Sequence, residues 1–205
     1  YNAVEMACLF FARASRCKCA AAVVESVRGI NMDQSELQTH ISNGTLAQAA
    51  VELEAQRTAL QEKNNVQELA EATNDLAVVY LMQDETDKAR TLFGQAQQLF
   101  IEANDAAGQG RATGNLAQLE ERGGNADAAA ALYMQAADLL HEGGSFADEY
   151  TTRRRLSRYY LTHGGTMMAL NETVHALRVK PNAGAWDKFQ TWMYSIPFAL
   201  LGIKT

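Results

Sequence analysis

One period governs this chain: four blocks align at a spacing of 40 residues without a gap. Gly44, Asp84, Gly124 and Gly164 mark the turn of each block, and five residues later stand Ala49, Ala89, Ala129 and Ala169. Four further on come Leu53, Phe93, Tyr133 and Thr173. Upstream of the turn, Leu76, Leu116 and Leu156 recur, each followed by Ala77, Ala117 or Ser157, while Ala96, Ala136 and Ala176 close the pattern. Repetition on this scale implies one supersecondary unit that cannot bury its apolar face alone and so stacks on copies of itself.

The unit reads as two amphipathic helices. Leu76, Val79 and Tyr80, then Ala89, Leu92, Phe93, Ala96, Leu99 and Phe100, fall at three- and four-residue intervals. Only two prolines occur in 205 residues, and Ala, Leu, Gln and Glu are abundant, which favours long helices. Asp84-Glu85-Thr86-Asp87 offers side-chain oxygens to the free amides of a following helix, and Gly124 can take a left-handed C-cap conformation. Small residues such as Ala77, Ala89 and Ala96 allow close approach, and Tyr80 and Phe93 fill the space between. An all-α fold follows.

These residues, in this order, resemble the tetratricopeptide signature. Leu76-Ala77, Tyr80, Ala89, Phe93 and Ala96 carry the likeness; Leu116-Ala117, Gly124, Ala129, Tyr133 and Ala136 repeat it, with Glu120 in place of the first aromatic. Leu156, Tyr160, Gly164, Ala169, Ala176 and Pro181 give a third copy, and Gly44, Ala49 and Leu53 a weaker one. The resemblance implies a right-handed α-solenoid of about four helix-turn-helix repeats with capping helices at both ends. The expected division is residues 1–29 as an N-terminal cap or partial repeat, then repeats over 30–69, 70–109, 110–149 and 150–181. Residues 182–205 are expected to form a capping helix, with Trp186, Phe189, Trp192 and Met193 on one side, and an apolar tail that packs back on the last repeat or into a neighbour's groove. The 40-residue unit departs from the common 34 and matches a longer variant of the family.

Function follows from the same likeness. The first helix of each pair is expected to line a concave face that binds a protein or peptide. The implied contacts are Asn74, Val78 and Leu81, then Arg111, Asn115 and Gln118, then Arg154, Arg158 and Leu161. Amides can pair with a peptide backbone, and guanidinium groups can grip carboxylates, so an acidic peptide is the expected partner. Glu149 and Arg153, four apart, form a candidate helix-face ion pair. The alternative role is a regulatory or sensor segment of a larger bacterial-type regulator.

Charge narrows the partners. The net charge of −6 argues against direct nucleic-acid binding. Its distribution is uneven: residues 71–150 carry 4 Lys/Arg against 14 Asp/Glu, and residues 151–205 carry 8 against 2. Such ends could associate head to tail. Cys8, Cys17 and Cys19 are odd in number and clustered, which points to reduced thiols and a cytoplasmic setting. The apolar stretch from Trp192 to Ile203 is too short to span a bilayer.

Catalysis finds little support. His40, His141, His163 and His175 are scattered, and neither a nucleophile constellation nor a metal-ligand spacing occurs, so neither enzyme activity nor a cofactor is expected. Gly108-Gln-Gly110-Arg-Ala-Thr-Gly114 lacks the strand that a dinucleotide loop requires and reads as a linker between repeats. Glu120-Glu121 reads as a solvated helix edge.

Overall fold

The computed structural model describes residues 45–200, together with Thr39 and Asn43. The expected cap at residues 1–29, the three cysteines, His40 and Gly44 lie outside the described residues. From Leu46 onward the chain forms α1 (Leu46–Glu62), α2 (Val66–Met82), α3 (Thr86–Glu102), α4 (Ala106–Arg122), α5 (Ala126–Glu142), α6 (Phe146–Thr162), α7 (Thr166–Val179) and α8 (Ala185–Leu200). No strand occurs among the described residues. The fold is an all-α solenoid.

Two helices occupy each 40-residue period. Helix starts fall every 20 residues from 46 to 166, and each of the first six helices spans 17 residues. One joint serves the six turns between α1 and α7. Asn64, Asp84, Asn104, Gly124, Gly144 and Gly164 all have positive φ, between 55° and 80°. The next amide then donates back across the helix end, as in Glu85 N to Tyr80 O at 2.9 Å, Asp105 N to Phe100 O at 2.9 Å and Ser145 N to Leu140 O at 2.8 Å. This six-to-one bond satisfies a carbonyl that the helix end would leave bare. Asn and Asp tolerate the left-handed region better than other side-chain-bearing residues, which is why they alternate with Gly here. The cap oxygens expected after Asp84 are not used: Glu85, the N-cap of α3, makes no side-chain cap bond, whereas Asn65 and Asp105 do accept, from Glu68 N and Gly108 N.

The repeated small and aromatic residues form the core. Ala49, Ala89, Ala129 and Ala169 are at most 1% exposed, as are Leu53, Phe93 and Tyr133 on the same helices. Helices pack hardest as the pairs α2–α3, α4–α5 and α6–α7, each pair leaning on the next, and α2 also touches α4. The first helices, α2, α4 and α6, therefore share one side of the solenoid.

The glycine run corrects the linker reading. Gly108, Gly110 and Gly114 lie inside α4. A Cβ on Gly108 would stand 2.2 Å from the Phe100 ring, and one on Gly110 2.8 Å from Leu140. These positions are glycine because neighbouring helices press on them. Glu120 is likewise no solvated edge: it is 8% exposed, pairs with Arg90 and accepts from Asn125 Nδ2 at 2.6 Å. Glu121 accepts the Tyr133 hydroxyl at 2.8 Å.

The C-terminal helix also differs from expectation. It runs through Pro197 to Leu200 instead of giving way to a tail. Phe198 packs inward at 4% exposure, yet Ile196 and Leu200 remain exposed at 38% and 82%. Residues 201–205 lie outside the described part.

Candidate functional site: the face of the first helices

Helices α2, α4 and α6 are laterally tied by side chains about 40 residues apart in sequence. Asn115 Nδ2 donates to Asn74 Oδ1 at 3.0 Å, Arg155 to Gln118 Oε1 at 3.2 Å, and Arg122 to the Leu81 carbonyl at 3.4 Å. Each bond runs from one first helix to its neighbour.

That ladder decides where the expected contact residues sit. Asn74, Val78, Leu81, Asn115 and Gln118 are all buried, at 3–9% exposure. Val78 and Leu81 join the apolar cluster around Leu53, Leu76 and Phe93. The amides face one another across helices. Arg111 is half-buried, 3.8 Å from Asp105 Oδ2 and poised over the Phe100 ring. Arg154, Arg158 and Leu161 stand exposed on α6, Arg154 with its guanidinium over the Tyr150 ring. Of the expected residues, those left exposed are thus at the α6 end of the face.

Between α4, α5 and α6 lies a solvent-open cleft lined by Gly110, Arg111, Asn115, Tyr133, Asp148, Thr151, Thr152 and Arg155 among others. Of the expected residues it brings together only Arg111 and Asn115. Arg155 and Asp75 were not anticipated, yet the 40-residue period applied to Asn115 leads directly to both: 75, 115 and 155 are one repeat position. Asp75 is 1% exposed, and its Oδ1 has no hydrogen-bond partner among the described residues. Burial pushes its pKa up to about 8, with Glu71 adding to the rise and Asn74 and Arg111 opposing it.

A second polar cluster holds α5, α6 and α7 together. Arg153 donates to Glu149 at 2.7 Å, forming the expected pair, and also reaches Glu172 at 3.1 Å and Asp138 at 3.4 Å. Glu149, 1% exposed, is held from the other side by His141 Nδ1 at 2.9 Å. Burial leads the influences that lower the His175 pKa. Among the described residues no group of His, Cys, Asp and Glu is arranged to hold a metal ion, and no helix is long and apolar enough to cross a membrane.

Residues 68–142 match the family model described as Tetratricopeptide repeat. That stretch is built of tetratricopeptide-like repeats. No curated protein matches the chain. Among solved structures, the crystal structure of BtubC (BKLC) from P. vanneervenii is similar, with a TM-score of 0.65 at 17% sequence identity, covering 90% of this chain and 82% of that one. At that identity the likeness speaks for the helical-repeat fold.

Proposed function

We propose that this tetratricopeptide-like solenoid is a protein-interaction scaffold, and that the α6 end of its first-helix face receives an acidic peptide. The observation that carries the reading is the pair Arg154 and Arg158, one helical turn apart and both exposed, with Leu161 exposed beside them. Two guanidinium groups at that spacing suit carboxylates on an extended or helical segment, and an apolar side chain beside them adds a contact that a bare ion would not use. The cleft next to them adds the half-buried Arg111 and the hydroxyls of Thr151 and Thr152. The buried ion pairs tie helices together, and the amides of Asn74, Asn115 and Gln118 are spent on the ladder.

The test is an array of acidic, neutral and basic peptides probed with the whole chain and with Arg154→Glu and Arg158→Glu. Acidic peptides should be retained, and each reversal should weaken retention at least about tenfold, since it replaces attraction by repulsion. Both residues are exposed, so the fold should survive. Equal retention by the variants removes the proposal.

A further inference from the structure

The C-terminal helix repeats the role of a first helix, and its uncovered side faces where a second helix would pack. The register follows from the first intrahelical bonds: Gln109 N to Asp105 O on α4, Glu149 N to Ser145 O on α6, and Lys188 N to Gly184 O on α8. Counted from those bonds, Phe189, Met193 and Ile196 correspond to Gly110, Gly114 and Ala117 on α4. On α4 that row lies against α5. A Cβ on Gly110 would meet Leu140 and one on Gly114 would meet Ala136, while Ala117 clusters with Ala129 and Tyr133. On α6 the residue matching Ile196 is Ser157, which donates to the Ala169 carbonyl of α7 at 2.8 Å. On α8 the same row is open: Phe189 is 46% exposed, Met193 37% and Ile196 38%. Trp186, Trp192 and Leu200 extend it at 66%, 63% and 82%. The rings of Trp186, Phe189 and Trp192 pack in series, with successive centroids 5.4 Å and 5.9 Å apart.

We infer that this row is a docking seat for an amphipathic helix of a partner protein with acidic flanks. Shape calls for a helix, because on α4 and α6 the matching positions Gly110, Ala117 and Ser157 lie against the second helix of the pair. Bulk on α8, where α4 has glycine, calls for small residues on the incoming helix, so that the two surfaces interdigitate. Charge selects the flanks. Residues 151–205 carry 8 Lys/Arg and 2 Asp/Glu. Both carboxylates are already engaged, Glu172 with Arg153 and Asp187 with Lys180. The field around the seat is therefore positive, and a second copy docked through its own α8 would bring the same positive end to it. A bilayer surface fits less well, because α8 itself carries one lysine and one aspartate and lacks the basic face of an interfacial anchor.

Both tryptophans of the chain lie on this helix, so intrinsic tryptophan fluorescence reads the seat alone. The probe is a synthetic peptide of the chain's own α5 sequence, Ala126–Glu142, which has Ala129 and Ala136 on its packing face and three carboxylates with no Lys or Arg. Its counterpart carries Asp127→Lys, Asp138→Lys and Glu142→Lys. The whole chain alone should emit at the long wavelength of water-exposed indole. Titration with the acidic peptide should shift emission to the blue, and the lysine peptide should bind at least about tenfold more weakly. Phe189→Glu and Ile196→Glu, both at exposed positions, should abolish the shift while circular dichroism stays unchanged. No shift, or equal binding of the two peptides, overturns the inference. So does blue emission from the chain alone, which would mean the seat is already covered. A shift that grows with chain concentration in sedimentation-matched samples assigns the seat to a second copy. A response to phosphatidylserine–phosphatidylcholine vesicles but not to the peptide assigns it to a membrane.

Discussion

Asn115 Nδ2 lies 3.0 Å from Asn74 Oδ1, and both side chains are buried between helices of different repeat units. Two amides placed 41 residues apart in sequence thus meet where a pair of aliphatic side chains could also have packed. Truncating either one strands a buried polar partner. Asn115→Ala and Asn74→Ala should each cost about 1–3 kcal/mol of stability. The double variant should cost less than the sum, with a coupling of about 1 kcal/mol in a denaturation cycle. Strict additivity would show that the bond contributes nothing.

Asp75 makes stability depend on pH in an unusual direction. Its folded-state pKa is raised from 3.8 to about 8, so the folded chain keeps a proton that the unfolded chain releases. Between those values the folded state binds more protons, and stability falls as pH rises. Below pH 3.8 the group is protonated in both states and the effect vanishes. Asp75→Asn should match the wild type near pH 4 and exceed it at pH 8, flattening this part of the melting-temperature profile. An unchanged slope would remove Asp75 as its source.

Adjacent glycines at one joint should respond for different reasons. Gly144 has φ +70° and open space around its missing Cβ, so Gly144→Ala carries only the backbone cost, about 1–2 kcal/mol. Gly143 has an ordinary φ, but a Cβ there would stand 2.4 Å from the backbone nitrogen of Ala107. Gly143→Ala must push α4 away and should cost about 3 kcal/mol or more. Urea titrations of the two variants should rank them in that order.

Glu149 depends on Arg153 for its place in the interior. Arg153→Met removes the 2.7 Å partner of a carboxylate that is 1% exposed and should destabilise by about 3–5 kcal/mol. Arg153→Met combined with Glu149→Gln should recover part of that loss, because the isolated charge is gone.

The fold was readable because small and aromatic residues recur at a fixed interval and because helix packing leaves little choice at those positions. Ala89 and Phe93 could be placed in the core from spacing alone. The half-period was harder to see. Asn64, Asn104 and Gly144 do the same backbone work as Asp84, Gly124 and Gly164, yet share no common letter. Glycine misled at 108–114, since the same residue serves a turn through its φ and a helix contact through its missing Cβ. The contact face was legible only in part. Asn74, Asn115 and Gln118 carry the polar character expected of a binding surface, but helices this close use those groups on each other. Arg154 and Arg158 stayed exposed, having no first helix with complementary amides beside them in the way that Gln118 has Arg155.

The six joints between α1 and α7 are alike, so the turns do not tell one junction from another. What distinguishes the junctions is a set of polar bonds, each present once: Arg90 with Glu120, Asn115 with Asn74, Arg155 with Gln118, Arg153 with Glu172. Alanine and turn positions recur from unit to unit, whereas these scarce polar pairs give each interface an identity of its own.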